Sequence, residues 1–218
     1  MHRERWYTLA ETSHVTVSEK KSEFIADAAP VTSAAGAEAF LNDIRKKYPD
    51  ARHHVYAWRI GGDEILQRYS DDGEPAGTAG LPVLDVLRKN GIDDAIIVVT
   101  RYFGGILLGT GGLVRAYGKA AFLALKEAVP SLIINCDCYM VMIAYSNLDK
   151  LRYALQKAGF FTEEPQFGID PVIPVFCTAG RKDELIRLCM DMTAGQAVIE
   201  YAGERTVTAE RLKDLTYD

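Results

Sequence analysis

The stretch that decides the fold is AIIVVT at residues 95–100. A continuous run of apolar and β-branched residues of this length is typical of a strand buried on both faces at the centre of a sheet. The chain continues through TRYFGGILLGTGGLVRAYG at residues 100–118, a glycine-rich turn that leads into a helix predicted over residues 112–128. The first half is therefore predicted to be a sheet organised around residues 95–100, with helices packed on it.

Working outward, the remaining elements of the first half follow from periodicity and from helix-start and helix-stop signals. Ser33 is predicted to cap a helix that Pro49 stops, with Phe40, Leu41 and Ile44 on one face. The pattern indicates further strands at residues 14–17, 23–31, 53–60 and 64–69, and helices at residues 34–48 and 80–90.

The second half has a different rhythm, in which strands and helices alternate in the order β-α-β-β-α-β. That order is typical of a ferredoxin-like domain, in which two helices cover one face of an antiparallel sheet. With a boundary near Pro130, the predicted domains are residues 1–130 and 131–218. The predicted elements cover residues 133–145, 147–158, 160–167, 172–177, 181–192 and 196–207.

Composition excludes several classes of protein. The 218 residues carry a net charge of −5, which argues against a protein that coats nucleic acid nonspecifically, so any such contact must come from a local basic patch. There is no apolar run of the ~20 residues needed to span a bilayer, and no signal peptide is readable, so a cytoplasmic location is expected. Buried free thiols, with no metal and no cofactor, are predicted at Cys136, Cys138, Cys177 and Cys189.

An acidic segment, YSDDGEPAGTAG at residues 69–80, places Asp71, Asp72 and Glu74 within four residues. One interpretation is a solvated turn, in which Asp71 or Asp72 bonds to nearby backbone and Thr78 caps the next helix. The other is an acidic site for a cation, a basic partner or a reacting group. Both interpretations remain open from the sequence.

The glycine-rich segment suggests an anion site, because helix N-termini expose N–H groups and glycines allow a phosphate to approach them. Glycine for close helix–sheet packing is the alternative. There is no P-loop, and Val114 occupies the third glycine position of a GxGxxG. Arg101, Arg115 and Lys119 would flank the anion, and Tyr102 and Tyr117 would stack on bases, whereas Phe103 is expected in the core.

His53 and His54 are adjacent on a predicted strand, so their side chains point to opposite faces. Either a structural histidine or a partner for the acidic turn fits this position. The predicted binding residues are therefore His54, Asp71, Asp72, Glu74, Arg101, Tyr102, Gly104, Gly105, Gly109, Gly111, Gly112, Arg115, Tyr117 and Lys119. No catalytic residue is predicted.

The two segments at residues 69–80 and 100–118 resemble the paired signatures of the YigZ/IMPACT family, in its bacterial two-domain form. The resemblance implies an α+β protein whose first domain is similar to domain 2 of ribosomal protein S5, with two helices backing a sheet. It implies a ferredoxin-like second domain similar to domain V of elongation factor G. Eukaryotic IMPACT proteins restrain a starvation-activated kinase of translation initiation, which suggests a link to translation but not a shared mechanism.

These observations favour a non-catalytic binding protein that contacts RNA, the ribosome or a translation factor through the two segments. One alternative is a nucleotide- or phosphate-binding enzyme that uses the glycine-rich loop with Asp71, Asp72 or Glu74, an analogy of fold alone. A second alternative is a protein–protein adaptor. The sequence does not predict the oligomeric state.

Overall fold

The computed structural model of the protein describes residues 3–61 and 64–211. The chain divides into two compact units, one built mainly from Trp6–Leu132 and the other mainly from Ile133–Ala209. Each unit has its own hydrophobic clusters, so each is described by itself. Among the described residues, no helix combines the length and the apolar character needed to cross a bilayer.

The first unit contains a five-stranded sheet with β6 at its centre, as the AIIVVT run predicts. Every neighbouring pair of strands in the order β2-β3-β6-β4-β5 is antiparallel. A further strand, β1 (Arg5–Leu9), precedes them and was not predicted. The five strands of this sheet are β2 (Ser13–Glu19), β3 (Ser22–Pro30), β4 (His53–Ile60), β5 (Leu66–Ser70) and β6 (Ala95–Tyr102).

Three helices pack on this sheet, α1 (Ala34–Lys47), α2 (Gly80–Lys89) and α3 (Thr110–Glu127). The predicted Ser33 cap is confirmed, since its hydroxyl oxygen accepts a hydrogen bond from the Gly36 N–H at 3.1 Å. Helix α1 then runs as far as the residue before Tyr48, close to the predicted stop at Pro49.

Alternation along β6 divides the core of the first unit into two layers. Ile97 and Val99 belong to the cluster beneath α2 and α3. Ile96 and Val98 belong to the cluster beneath α1. The sheet is therefore backed by two helices on one face and by a third helix on the other.

The second unit follows the predicted order of strands and helices, with one large change of length. The predicted strand over residues 160–167 is paired only at β8 (Phe161–Thr162), because Pro165 lacks the N–H that a continuing ladder needs. The strand order is β1-β7-β9-β8, and β10 also pairs with β7. The other elements are β7 (Pro130–Met142), α4 (Leu148–Lys157), β9 (Val172–Cys177), α5 (Lys182–Thr193) and β10 (Val198–Arg211).

All four cysteines are buried free thiols, as predicted. Cys136 and Cys138 lie on the same face of β7, in a cluster with Phe176. Burial raises the pKa of Cys136 to about 11 and that of Cys189 to about 11, which keeps both thiols protonated at neutral pH. These side chains therefore behave as small apolar residues.

Candidate binding surface

The acidic segment folds around the carboxylate of Asp71. One carboxylate oxygen accepts hydrogen bonds from the N–H groups of Ala79 and Gly80, at 3.0 and 2.8 Å, and the other accepts from Gly77 at 2.8 Å. Asp71 thus satisfies backbone donors at the start of α2, which confirms the interpretation of local bonding. The predicted cap at Thr78 is wrong, since its hydroxyl donates instead to the carbonyl of Pro75 at 2.7 Å.

Replacing Asp71 with alanine is expected to lower the free energy of unfolding by about 2 kcal/mol, because three backbone N–H groups lose a charged acceptor. Asp71→Asn keeps one acceptor oxygen and should fall between the two. Denaturant unfolding measures both effects. Asp85→Ala, which removes an exposed carboxylate from the middle of α2, is the control and should change stability by less than about 0.5 kcal/mol. Equal effects of Asp71→Ala and Asp85→Ala would contradict the capping role.

Asp72 connects the same turn to the beginning of β4. Its carboxylate accepts a hydrogen bond from the backbone N–H of His54 at 2.6 Å and lies 3.6 Å from the guanidinium of Arg45. His53 Nδ1 lies 2.8 Å from the Asp72 carbonyl oxygen. The ring of His54 is buried, with Nδ1 3.9 Å from the Asp72 carboxylate and Nε2 3.1 Å from the carbonyl oxygen of Tyr48. The predicted meeting of a histidine with the acidic turn therefore occurs, as part of the scaffold.

Glu74 forms a buried cluster with Arg101 and Tyr117. One carboxylate oxygen of Glu74 lies 2.7 Å from Arg101 Nη1 and accepts a hydrogen bond from the Tyr117 hydroxyl at 2.7 Å. The Arg101 side chain is 7% exposed and that of Glu74 is 4% exposed. Burial and the bond to Glu74 raise the pKa of Tyr117 well above its usual range, so its hydroxyl remains a donor. These three side chains satisfy one another in the interior.

This cluster brings the two signature segments together, Glu74 from the first and Arg101 and Tyr117 from the second. Sequence reasoning placed all three on an outward-facing surface, whereas their side chains point inward. Their part in binding stays a prediction, and as placed they hold the two segments in register. Arg101 also packs against the rings of Phe24 and Phe103, with its guanidinium carbon 5.4 and 5.5 Å from the ring centroids.

Not all of the predicted residues share one side of the sheet. Arg101 is paired with Phe24 across β3 and β6, and both belong to the layer beneath α2 and α3. Tyr102 follows Arg101 directly in the strand, so its side chain points to the opposite face. His54 pairs with Thr100 and also lies on that opposite face. Tyr102 and His54 are therefore separated by the sheet from Arg101 and Tyr117.

The glycine-rich loop forms the exposed part of the second segment. Gly105 and Gly109 adopt φ of 82° and 73°, the left-handed region that glycine enters without strain. Gly104 has a different role, because a Cβ there would overlap the backbone carbonyl of Lys21. Gly111 and Gly112 lie in the first turn of α3, where a Cβ on Gly112 would be 2.9 Å from the Cβ of Leu108. Close approach and turn conformation both account for these glycines.

The same loop presents apolar side chains to solvent. Phe103 is 57% exposed and Leu107 is 83% exposed, with Ile106 and Val114 also exposed beside them. The expectation that Phe103 lies in the core is therefore wrong, because the chain leaves β6 at Tyr102 and the turn carries the ring outward. Exposed apolar side chains grouped on one loop are typical of a contact surface.

Comparison with known proteins agrees with this region's signature. The Impact N-terminal domain model matches residues 20–125, which include both segments. The IMPACT family member YvyE of Bacillus subtilis (strain 168) is 44% identical over 204 residues, covering 92% of each chain. The chain belongs to the IMPACT family. The family member YigZ of Escherichia coli (strain K12) is 47% identical over 147 residues, which cover 66% of this IMPACT chain and 72% of YigZ.

A crystal structure described only as that of a hypothetical protein is also similar to this IMPACT-family chain. Its sequence is 34% identical, the TM-score is 0.60, and the alignment covers 91% of this chain and 97% of the other. The mixed α/β architecture with antiparallel sheets thus extends to a solved relative over nearly the whole length of both chains.

Sequence reasoning missed one part of the surface of this IMPACT-family protein, the turn at Lys20 and Lys21. The turn joins β2 to β3, and its lysines have φ of 45° and 66°. Its backbone packs against Gly104, and the hydroxyl oxygen of the following Ser22 accepts a hydrogen bond from the Gly104 N–H at 3.2 Å. A Lys-Lys pair between two strands was the available signal, because hairpin turns ordinarily use asparagine and glycine.

No group of three or more histidine, cysteine, aspartate or glutamate side chains suited to a metal ion occurs within residues 3–61 and 64–211. The cationic residues Arg115 and Lys119 lie on the exposed side of α3, four residues apart. Together with Lys20 they line a cavity of about 280 Å³ beside the glycine-rich loop. The exposed chemistry of the second segment is therefore apolar and basic.

Proposed function

We propose that this IMPACT-family chain is a non-catalytic binding protein linked to translation or its regulation, and that it contacts RNA or the ribosome through the glycine-rich loop. The observation that carries the proposal is the exposure of Phe103, Ile106 and Leu107 on a loop whose base is held by Arg101 and Glu74. Matches to eukaryotic IMPACT proteins support the link to translational control.

The surface suits a partner that offers both apolar faces and phosphate groups. Phe103 provides an exposed ring on which a base can stack, a contact that tolerates many sequences. Arg115 and Lys119 add positive charge on the adjoining turns of α3. Because the whole chain is acidic, with a net charge of −5, this local basic patch would set where a nucleic acid can approach.

The disposition of the carboxylates favours binding over catalysis. Asp71, Asp72 and Glu74 each accept hydrogen bonds from the protein itself. An enzyme that used them as a base or as magnesium ligands would have to break those bonds first. The enzyme alternative therefore has less support than a binding function, and a protein–protein adaptor remains the second candidate because the exposed side chains are apolar.

The finer fold assignments belong to the same proposal. For the first domain, residues 1–130, the two helices on one face of an antiparallel sheet support similarity to domain 2 of ribosomal protein S5. For the second, residues 131–218, the order β10-β7-β9-β8 places the first and third strands of a βαββαβ chain side by side, which supports a ferredoxin-like fold. A protein that acts on translation would be located in the cytoplasm.

The test is co-sedimentation with ribosomes from a bacterial lysate, comparing the wild-type chain with a Phe103→Ser/Leu107→Ser variant. The variant is expected to lose at least about tenfold in the bound fraction, because it removes the apolar centre of the contact. Its melting temperature should be nearly unchanged, since both side chains are exposed. The matched control is Ile65→Ser/Leu66→Ser, which removes two exposed apolar residues elsewhere in the same unit.

Salt and nuclease treatment separate the partner classes. Binding to RNA should weaken steeply between about 50 and 200 mM salt, because phosphate contacts release counterions. Binding that ignores salt and survives nuclease would instead indicate the adaptor. If wild-type protein fails to sediment with ribosomes even at low salt, or if the loop variant sediments equally well, the proposal is wrong.

A further inference from the structure

The cavity between the β2–β3 turn and α3 has an unusual combination of walls. Its volume is about 280 Å³. One wall is apolar, and the other carries three cationic side chains against one carboxylate. The lining residues are Val17, Glu19, Lys20, Leu108, Gly112, Arg115, Ala116 and Lys119.

The position of Lys20 involves an energetic cost. Lys20 and Lys21 are consecutive non-glycine residues in the left-handed region, at φ of 45° and 66°. Glycine and asparagine adopt this conformation more readily than lysine does. The turn is held in place because its backbone packs on Gly104 and because Ser22 accepts a hydrogen bond from the Gly104 N–H. Strained residues that persist in a well-anchored turn are a reason to look for a function.

The charges around the cavity favour an anion. Lys20 and Lys119 approach it from two different elements, the hairpin turn and α3, and Arg115 lies one helical turn before Lys119. Glu19 offsets one of these charges, which leaves an excess of positive charge. The first turn of α3 contains no acidic residue that would compete for it. The glycine-rich loop adds no acidic side chain either.

We infer that this cavity binds the phosphate group of a nucleotide unit, with Lys20 and Lys119 contacting the phosphate oxygens and Val17, Leu108 and Ala116 contacting the sugar or base. The inference rests on the proposed function, which it deepens by naming the ligand chemistry. The volume lies at the lower limit of small-molecule pockets, about 300 Å³, so it suits one nucleotide and not a dinucleotide. The unit can come from a free mononucleotide or from an RNA chain.

The experiment is an amide NMR titration of the full chain with uridine 5′-monophosphate, uridine, inorganic phosphate and a short oligouridylate. Uridine 5′-monophosphate and inorganic phosphate are expected to shift the amides of Gly112 and Ala116, whereas uridine is not. Lys119→Ala should weaken binding of uridine 5′-monophosphate at least about tenfold, as expected for loss of a charged contact. Lys126→Ala, on the same helix but outside the cavity, is the matched control and should have no effect.

Lys20→Gly separates binding from folding. Glycine relieves the left-handed strain, so this variant should melt at the same temperature as the wild type or higher, and yet lose at least about tenfold in affinity. The inference is overturned if Lys20→Gly binds normally, if uridine binds as well as its phosphate, or if Lys126→Ala weakens binding to the same extent as Lys119→Ala.

The oligouridylate distinguishes this inference from the proposed function. If it competes with uridine 5′-monophosphate for the same amides, the site reads RNA, and both proposals are supported. If the mononucleotide binds in the cavity and the oligomer does not, the phosphate site stands and RNA contact through this surface is excluded. If ribosome binding depends on Phe103 and Leu107 but neither phosphate compound shifts the cavity amides, the proposed function stands and the phosphate site is wrong.

Discussion

Replacing Arg101 with alanine is expected to lower the free energy of unfolding by about 3–5 kcal/mol, because it leaves the Glu74 carboxylate buried without its cation. The two side chains are 7% and 4% exposed, so solvent cannot replace the lost partner without local opening. The Tyr117 hydroxyl would still donate to Glu74 but does not compensate its charge. Denaturant unfolding followed by circular dichroism measures the loss.

Two further variants test whether the pairing itself causes the loss. Arg115→Ala removes an exposed arginine from the same segment and should change stability by less than about 0.5 kcal/mol. Glu74→Gln combined with Arg101→Met leaves no buried charge and should recover most of the loss, since neutral replacements of buried pairs are tolerated. If Arg101→Ala unfolds at the same denaturant concentration as the wild type, Arg101 is not a structural residue and its predicted role as an exposed phosphate ligand gains support.

Gly104→Ala is expected to destabilise the first unit by about 3 kcal/mol, at the upper end of the range for overpacking. The added methyl group would overlap the carbonyl of Lys21, which is backbone and cannot rotate away. The turn at residues 20–21 would have to move, and the hydrogen bond from Gly104 to Ser22 would break. Hydrogen exchange at residues 20–24, together with denaturant unfolding, measures both consequences.

Gly105→Ala is the matched control for this substitution. At Gly105 a Cβ meets open space, and only the left-handed φ of 82° opposes it, so a loss of about 1 kcal/mol is expected. A larger effect at Gly105 than at Gly104 would show that loop conformation, and not close approach of the hairpin turn, is what requires glycine here.

Much of the fold could be predicted from local patterns. AIIVVT identifies the central strand because only a strand buried on both faces is apolar at every position. Ser33 marks the start of α1 because a hydroxyl satisfies N–H groups that the helix leaves open. The length of β8 was overestimated, since apolar and polar residues continue past the point where Pro165 stops the pairing.

The candidate site was predicted in composition but not in arrangement. Glu74 and Arg101 are 27 residues apart, and nothing local shows that they form a buried pair. Local composition also could not show that Phe103 points outward, since an aromatic residue beside a buried strand usually extends the core. The strand register separates Tyr102 from Arg101, a consequence of alternation that was available from the sequence once β6 was extended to residue 102.

The sequence by itself determined the family, the central strand, the capped helix and the two segments that carry the signature, because each depends on residues that are neighbours in the chain. Only the tertiary structure decided which charged groups of those segments face inward and which face solvent. That choice depends on burial and on partners brought from distant positions, as when Glu74 meets Arg101 and Lys20 joins Lys119. A charge is costly to bury unless such a partner is present, and only the fold supplies the partner.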